Sequence, residues 1–157
     1  MPFRRRLRTN DRGGALVELA FALPILVFIM VAAIDFARIF YQGMSLMNAA
    51  RAGAQYGAAS LSNSGNATTM QAAARNAVNI TGVTASASRL CQCATDAGVF
   101  SATSPANNCA YTCPSGGHII ATVTVTASKD FTTIIGGLPG IPNTMSLSRS
   151  AVMRVIN

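Results

Sequence analysis

One glutamate stands inside a long apolar segment near the start of this sequence. Glu18 is the fourth residue of the run 15–34, whose only other interruption is Pro24. A carboxylate at this depth in a membrane costs several kcal/mol unless it is neutral or paired. The sequence has no lysine, arginine or histidine within one helical turn after Glu18. We therefore expect Glu18 either to reach headgroup level near the helix start or to meet an amine of another chain.

A glycine pair, Gly13 and Gly14, directly precedes this run. A protease binds its substrate in extended form, and glycine allows close backbone approach. Cleavage between the two glycines would create a free amino group four residues before Glu18. These residues predict a processing site next to an acid that needs a positive partner.

Four cysteines form a second group of residues that could form disulfides or bind a metal: Cys91, Cys93, Cys109 and Cys113. Zinc sites usually have two or more residues between the first two cysteines, and here there is one. Two disulfides suit a small exported domain with a thin core, and each adds about 3 kcal/mol in the chain-entropy model. A bond between Cys91 and Cys93 is strained. The pairings 91–113 with 93–109, or 91–109 with 93–113, both remain open, and we predict no metal.

The remaining titratable groups do not form a catalytic pattern. His118 is the only histidine and begins a predicted strand, and the five acids are scattered at 11, 18, 35, 96 and 130. Paired carboxylates, a phosphate-binding loop and a Ser/His/Asp arrangement do not stand out. The sequence predicts a protein that is not an enzyme and needs no cofactor.

The net charge of +7 is concentrated at the N-terminus, where five arginines precede the apolar run (4, 5, 6, 8 and 12). A basic stripe with interleaved aromatics is missing from the rest of the sequence, so we predict no nucleic-acid partner. Arginines beside a span indicate a cytoplasmic N-terminus and contact with anionic lipid. This orientation places residues after about 36, including the cysteines, in an oxidising compartment.

The apolar run predicts a membrane-spanning helix. Its 20 residues give roughly 30 Å of helix, the thickness of the hydrocarbon layer. A signal peptide has a shorter apolar region, and here a helical pattern continues to about residue 59. Pro24 predicts a kink or local melting near residues 20–24.

Beyond the span, the helix carries an apolar stripe and many small residues. The stripe comprises Phe36, Phe40, Met44, Met47, Ala50 or Arg51, and Ala54. The small residues are Ala37, Gly43, Ala49, Ala50, Ala52, Gly53, Ala54 and Gly57. This surface suits packing either against the domain that follows or against other helices.

The C-terminal part predicts an α+β domain. The segments are a short helix within 66–82, strands at 83–93, 118–128 and 144–156, and a turn or extended loop at 136–143. We predict a small antiparallel sheet of about three strands that packs on the outer part of the long helix. The resulting division is a basic leader (1–13), a long helix (14–59) with the span at 15–34, and an extracytoplasmic domain (60–157) with a cysteine loop (91–113).

The stretch "RGGALVELAFALPILVFIMVAAIDFARIFYQGMSLMNAARAGAQYGA" resembles the N-terminal region of TadE-like proteins, minor pseudopilins of tight-adherence (Tad/Flp) pili within the type IV pilus group. The resemblance rests on the glycine-ended basic leader, Glu18, Pro24, the motif Asp35-Phe36-Ala37-Arg38 and the "NAARAGA" segment. The closing stretch "FTTIIGGLPGIPNTMSLSRSAVMRV" also resembles the C-terminal end of that family. Leu19 departs from the aromatic residue that usually follows the glutamate in Flp-type pilins.

The resemblance implies that a prepilin peptidase cuts after Gly13, and the second glycine leaves a cut after Gly14 as an alternative. It further implies that Glu18 aligns the subunit through the N-terminal amine of a neighbour, and that Pro24 provides flexibility for assembly. The expected partners are prepilin peptidase, other pilin or pseudopilin subunits, the pilus assembly machinery of the inner membrane, and membrane lipid. The expected role is in pilus biogenesis and adhesion.

The same residues allow two other kinds of protein. One is an unprocessed single-span protein that anchors a binding domain in the cytoplasmic membrane, and the other is a secreted domain released by signal peptidase. The favoured topology is single-pass in the inner membrane, with the C-terminal domain periplasmic or extracellular and the protein available for incorporation in a pilus. The first residue of the mature chain differs among these alternatives and therefore distinguishes them.

Overall fold

The computed structural model describes residues 13–95, 98, 100–103, 109–113, 117–137 and 140–156. The leader up to Arg12, Asp96 and the centre of the cysteine loop lie outside these residues. The helices are α1 (Gly14–Ala58), α2 (Leu61–Ser64) and α3 (Ala67–Asn76). The strands are β1 (Thr84–Ala94), β2 (Phe100–Thr103), β3 (His118–Thr132) and β4 (Thr144–Arg154).

The strands form one antiparallel sheet in the order β2-β1-β3-β4. α1 packs across β3 and β4, and α3 lies between α1 and β1. The α+β prediction of a long apolar helix on a small antiparallel sheet is therefore confirmed. The three long strands match the three predicted segments, and the short β2, which lies within the cysteine loop, is an addition that its sequence did not indicate.

Helix α1 has 45 residues, which at 1.5 Å per residue make a rod of about 67 Å. Its two halves have different surroundings. Almost every residue from 14 to 34 is exposed, whereas one face of the helix from Asp35 onward is buried against the domain. The buried residues of α1 are Asp35, Gly43, Leu46, Ala49, Ala50, Gly53, Ala54, Gly57 and Ala58.

The face of α1 that packs on the domain differs from the predicted apolar stripe. Phe36, Phe40 and Met44 are 70%, 62% and 49% exposed, so these three side chains do not pack on the domain, and packing against other helices is the alternative that stays open for them. The buried face uses small residues instead, because α3 and β3 approach the helix closely. A Cβ at Gly53 would lie 2.8 Å from the carbonyl oxygen of Met70 and 2.9 Å from a methyl carbon of Val125. Most of the small residues are therefore taken up in packing within this chain.

The sheet alternates between an inward apolar face and an outward polar face, as its period of two predicts. In one cross-strand row, Ala87 of β1 lies opposite Val125 of β3, which lies opposite Ala151 of β4. The neighbouring outward row contains Ser86, Thr126 and Ser150 by the same pairing. The inward side chains of β3, including Val123 and Val125, are fully buried under α1 and α3.

Helix α3 is shorter than the segment 66–82 that was predicted to contain it. It begins after Asn66, whose side-chain oxygen accepts a hydrogen bond from the Thr69 amide, and it ends at Asn76. Beyond it, Val78 and Ile80 pack against a second core cluster formed by Leu46, Ala49, Ala50, Val83 and Ala127. Burial of these two β-branched side chains outweighs continuation of the helix to Gly82.

Two disulfides tie the cysteine loop to the end of β1. Cys91 bonds to Cys109 and Cys93 bonds to Cys113, which selects one of the two predicted connectivities. Cys91 and Cys93 lie two residues apart on the inward face of β1, and both are buried. All four sulfurs are used in these bonds. The cross-links stabilise an end of the domain whose core consists mainly of alanine and valine.

Candidate functional site

The first half of α1 is an apolar surface without intramolecular contacts that would bury it. Among the described residues, α1 is the one helix long and apolar enough to cross a membrane, and its most apolar window is entirely unburied within the domain. Leu16, Phe21 and Ile25 are each more than 60% exposed. Such a surface requires lipid or other apolar helices around it.

Glu18 projects from this exposed half of the helix. Within the described part of the chain, its carboxylate takes part in no ion pair or hydrogen bond. The leucine that follows it, Leu19, is also 53% exposed. The fold therefore leaves Glu18 available for a partner outside the domain.

The glycine pair before α1 is not required by the fold. Gly13 is the N-cap residue with φ −82°, and Gly14 is the first helical residue. A Cβ at either position would meet no atom within 4 Å. Larger residues therefore fit here, so the reason for two successive glycines lies outside the folded chain. Recognition by a processing protease remains the prediction that accounts for them.

Pro24 lies inside continuous helix. Residues 20–24 are helical, so of the predicted kink or local melting, the melting is not present. A proline at this position still removes one backbone hydrogen bond from the helix. Its role in assembly stays a prediction.

A buried carboxylate, that of Asp35, lies on α1 directly after the apolar run 15–34. Asp35 is 4% exposed, and its Oδ2 accepts hydrogen bonds from the backbone amides of Ile134 (2.7 Å) and Ile135 (3.2 Å). Its Oδ1 accepts a hydrogen bond from Nη1 of Arg38 at 3.0 Å. The Arg38 guanidinium lies 5.0 Å from the ring centroid of buried Phe131. We call these five residues the exit cluster.

The exit cluster fixes the β3–β4 connection to the helix. The two backbone amides that donate hydrogen bonds to Asp35 lie 99 and 100 residues later in the sequence. The connection is closed at its base by a hydrogen bond from the Thr133 amide to the Asn143 carbonyl. The domain is thus joined to the helix by charge-assisted hydrogen bonds at the end of the apolar run.

Sequence reasoning identified Asp35 and Arg38 as a motif but missed this role. An acid directly after a span is expected to face water, and only the tertiary structure brings two backbone donors to it. The signal that could have pointed to it is the uncharged, glycine-rich segment before β4, because any amide of that segment that is buried against the helix needs an acceptor.

A comparison with known protein families gives a match that includes Glu18, Pro24 and Asp35. Residues 13–55 match the family model described as TadE-like protein. This segment is similar to TadE-like proteins. The match confirms the resemblance over Gly13, Glu18, Pro24 and the motif from Asp35 to Arg38, and it includes none of the sheet. Searches of curated proteins and of solved structures give no match.

Replacement of Asp35 by alanine is expected to loosen the β3–β4 connection. The change removes the acceptor of two backbone amides and leaves Arg38 without its carboxylate. Hydrogen bonds to charged groups contribute about 1.5–3 kcal/mol, so we expect the free energy of unfolding to fall by about 2–3 kcal/mol. Hydrogen exchange at the Ile134 and Ile135 amides should accelerate.

The matched control is Asp130→Ala, since Asp130 is an exposed acid on β3. Surface substitutions of this kind usually change stability by less than about 0.5 kcal/mol. Denaturant unfolding of the full chain in detergent, with amide exchange, compares the two variants. Equal stabilities for the two variants would show that the exit cluster does not hold the domain to the helix.

Proposed function

We propose that this protein is a minor pseudopilin of a tight-adherence pilus and that its role is assembly rather than catalysis. The TadE-like segment supports a Tad pilus-related protein, and the narrower assignment is ours. One observation carries the proposal: Glu18, which is exposed and has no partner in the described chain, lies on the apolar, unburied first half of α1 within that segment.

The proposed sequence of events begins with insertion of α1 into the inner membrane, the basic leader remaining in the cytoplasm. Prepilin peptidase then cuts after Gly13 and leaves the amine of Gly14 at the start of the helix. This amine lies four residues, or about 6 Å along the axis, before Glu18. A second subunit displaced by that distance along the helix axis brings its amine level with the Glu18 carboxylate. Pairing in this apolar setting neutralises both charges.

The outer half of the molecule supports the same role. The exposed side chains of Phe36, Phe40 and Met44 extend the apolar surface of α1 beyond the span. They offer packing contacts to other pilin or pseudopilin subunits, whereas the small-residue face is already occupied by the domain. The disulfide-linked domain lies on the side of the membrane away from the cytoplasm. Pilus-mediated adhesion takes place on that side.

Replacement of Gly13 by leucine is expected to block processing without disturbing the fold. The structure has open space around this position, while a peptidase that requires glycine at the cut should reject the larger side chain. The variant should accumulate in membranes as the full-length chain with its leader. Intact mass of the membrane-extracted protein measures this directly.

The matched control is Gly14→Leu, which keeps Gly13 and also meets open space. Blocked processing in that variant, with normal processing of Gly13→Leu, would move the cut to the following bond. Normal processing of both variants would contradict prepilin-type cleavage at the glycine pair.

A further inference from the structure

The β3–β4 connection has an exposed apolar side chain, Ile134, level with Asp35, the residue of α1 that follows the apolar run 15–34. Ile134 is 57% exposed although its amide is held by buried Asp35. The sequence from 131 to 145 contains no aspartate, glutamate, lysine or arginine. An exposed isoleucine in an uncharged connection has no evident role in the folding of this domain.

The height of Ile134 relative to a bilayer follows from two contacts. Residues 15–34 are needed to cross roughly 30 Å of hydrocarbon, so Asp35 is the first residue beyond it. The Ile134 amide nitrogen lies 2.7 Å from the Asp35 carboxylate. Ile134 therefore lies within a few ångströms of the hydrocarbon boundary, in the layer of lipid headgroups.

The helix carries aromatic side chains at the same level. Phe36, Phe40 and Tyr41 are 70%, 62% and 64% exposed and follow Asp35 within two turns. Tyrosine is typical of the membrane–water interface, and the two phenylalanines add exposed apolar area beside it. Both the helix and the connection thus present apolar side chains in a layer only a few residues deep.

The position of Ile134 is fixed rather than free. Asp35 holds the amides of Ile134 and Ile135, and the hydrogen bond from the Thr133 amide to Asn143 closes the base of the connection. Because its backbone is held in this way, Ile134 cannot move away from the bilayer unless the whole domain tilts. Lipid contact at Ile134 would consequently set the orientation of the domain.

We propose that Ile134 inserts into the headgroup layer of the bilayer that α1 spans, so that the domain docks on the membrane through a second contact. The inference rests on the membrane anchoring in the proposed function, and adds that the unassembled subunit has its domain held upright against lipid. The occupant of this surface is lipid, and the exposed aromatics of α1 lie in the same layer. Extraction of the subunit from the membrane then has to break this contact as well.

The absence of tryptophan from the sequence allows a direct test with single-tryptophan variants. Ile134→Trp reports on the connection, and Phe28→Trp reports on the span. Val152→Trp is the matched control, because Val152 is 64% exposed but lies eight residues along β4, or about 26 Å, from Thr144. Each full-length variant is reconstituted in phosphatidylcholine vesicles with and without lipid brominated near the ester end of its acyl chains.

Brominated lipid should quench Phe28→Trp and Ile134→Trp, with emission at shorter wavelength than in Val152→Trp, which should be unaffected. Quenching of Phe28→Trp with no quenching of Ile134→Trp would overturn the docking inference and leave the anchor intact. Absence of quenching at Phe28→Trp would instead remove the membrane anchor on which both proposals rest. Unchanged circular dichroism in all three variants establishes that the fold is retained.

Discussion

Glu18→Ala is expected to abolish co-assembly with other pilus proteins while membrane insertion and folding continue. Insertion should be slightly easier, because the change removes a carboxylate that is unfavourable in lipid. Folding should be unaffected, since Glu18 makes no contact with the domain among the described residues. The loss should therefore appear only in the association of subunits.

The expected size of this effect follows from the setting of the proposed ion pair. Truncating one partner of a buried charge pair costs about 2–5 kcal/mol, much of it from the unpaired charge that remains. Even 2 kcal/mol lowers the association constant by about thirtyfold. In the proposed assembly the remaining charge is the amine of a neighbouring subunit, left in an apolar environment.

The measurement is recovery of pilus proteins with the tagged variant after cross-linking in native membranes. Val17→Ala is the matched control, because it changes an exposed residue of the same turn and keeps the carboxylate. Glu18→Asp keeps the charge and should retain part of the assembly. Recovery with Glu18→Ala equal to that of the control would remove the alignment role.

Gly53→Ala is expected to destabilise the domain although alanine is the better helix former. A Cβ at Gly53 would lie 2.8 Å from the backbone oxygen of Met70, 2.9 Å from Val125 Cγ1 and 3.0 Å from Ala74 Cβ. Alanine gains about 1 kcal/mol in helix propensity, but overpacking of a buried contact costs about 1–3 kcal/mol. The backbone oxygen cannot rotate away, so the overpacking cost should lie in the upper part of this range, and we expect a net loss of about 1–2 kcal/mol.

The same substitution at Gly43 is the matched control on the same helix. The atom nearest to a Cβ there would be Nη2 of Arg149, at 3.4 Å, and that long side chain can shift. Gly43→Ala should raise the free energy of unfolding by up to about 1 kcal/mol. Denaturant unfolding of both variants in detergent should give opposite signs. Stabilisation by both changes would show that α1 does not pack this closely on α3 and β3.

The regular elements could be predicted because their signals are local. The alternation of polar and apolar residues in 118–128 and 144–156 indicates strands directly, and it also places Met145 and Leu147 on one face. The long helix follows from a run of helix-compatible residues between Gly14 and Ala58 in which Pro24 is the main exception. Even the cysteine spacing reduced the disulfide pairing to two arrangements.

The packed face of α1 could not be predicted because the decisive interaction is non-local. The stripe through Phe36 and Phe40 suited packing on the domain or on other helices, and the sequence did not decide between them. The close approach of α3 and β3 requires the small residues at Gly53 and Gly57. Periodicity alone does not say which of two faces meets a sheet. Nor does it show that Asp35 meets amides about one hundred residues later in the chain.

The intact mass and N-terminal sequence of the protein from native membranes, before and after reduction, test the assembly proposal most directly. We predict a chain that begins at Gly14 and gains about four hydrogens when its two disulfides are reduced. A chain that begins at Met1 would contradict processing and favour an unprocessed membrane-anchored domain. A chain that begins beyond residue 34 would lack the apolar helix and would overturn the assembly mechanism altogether.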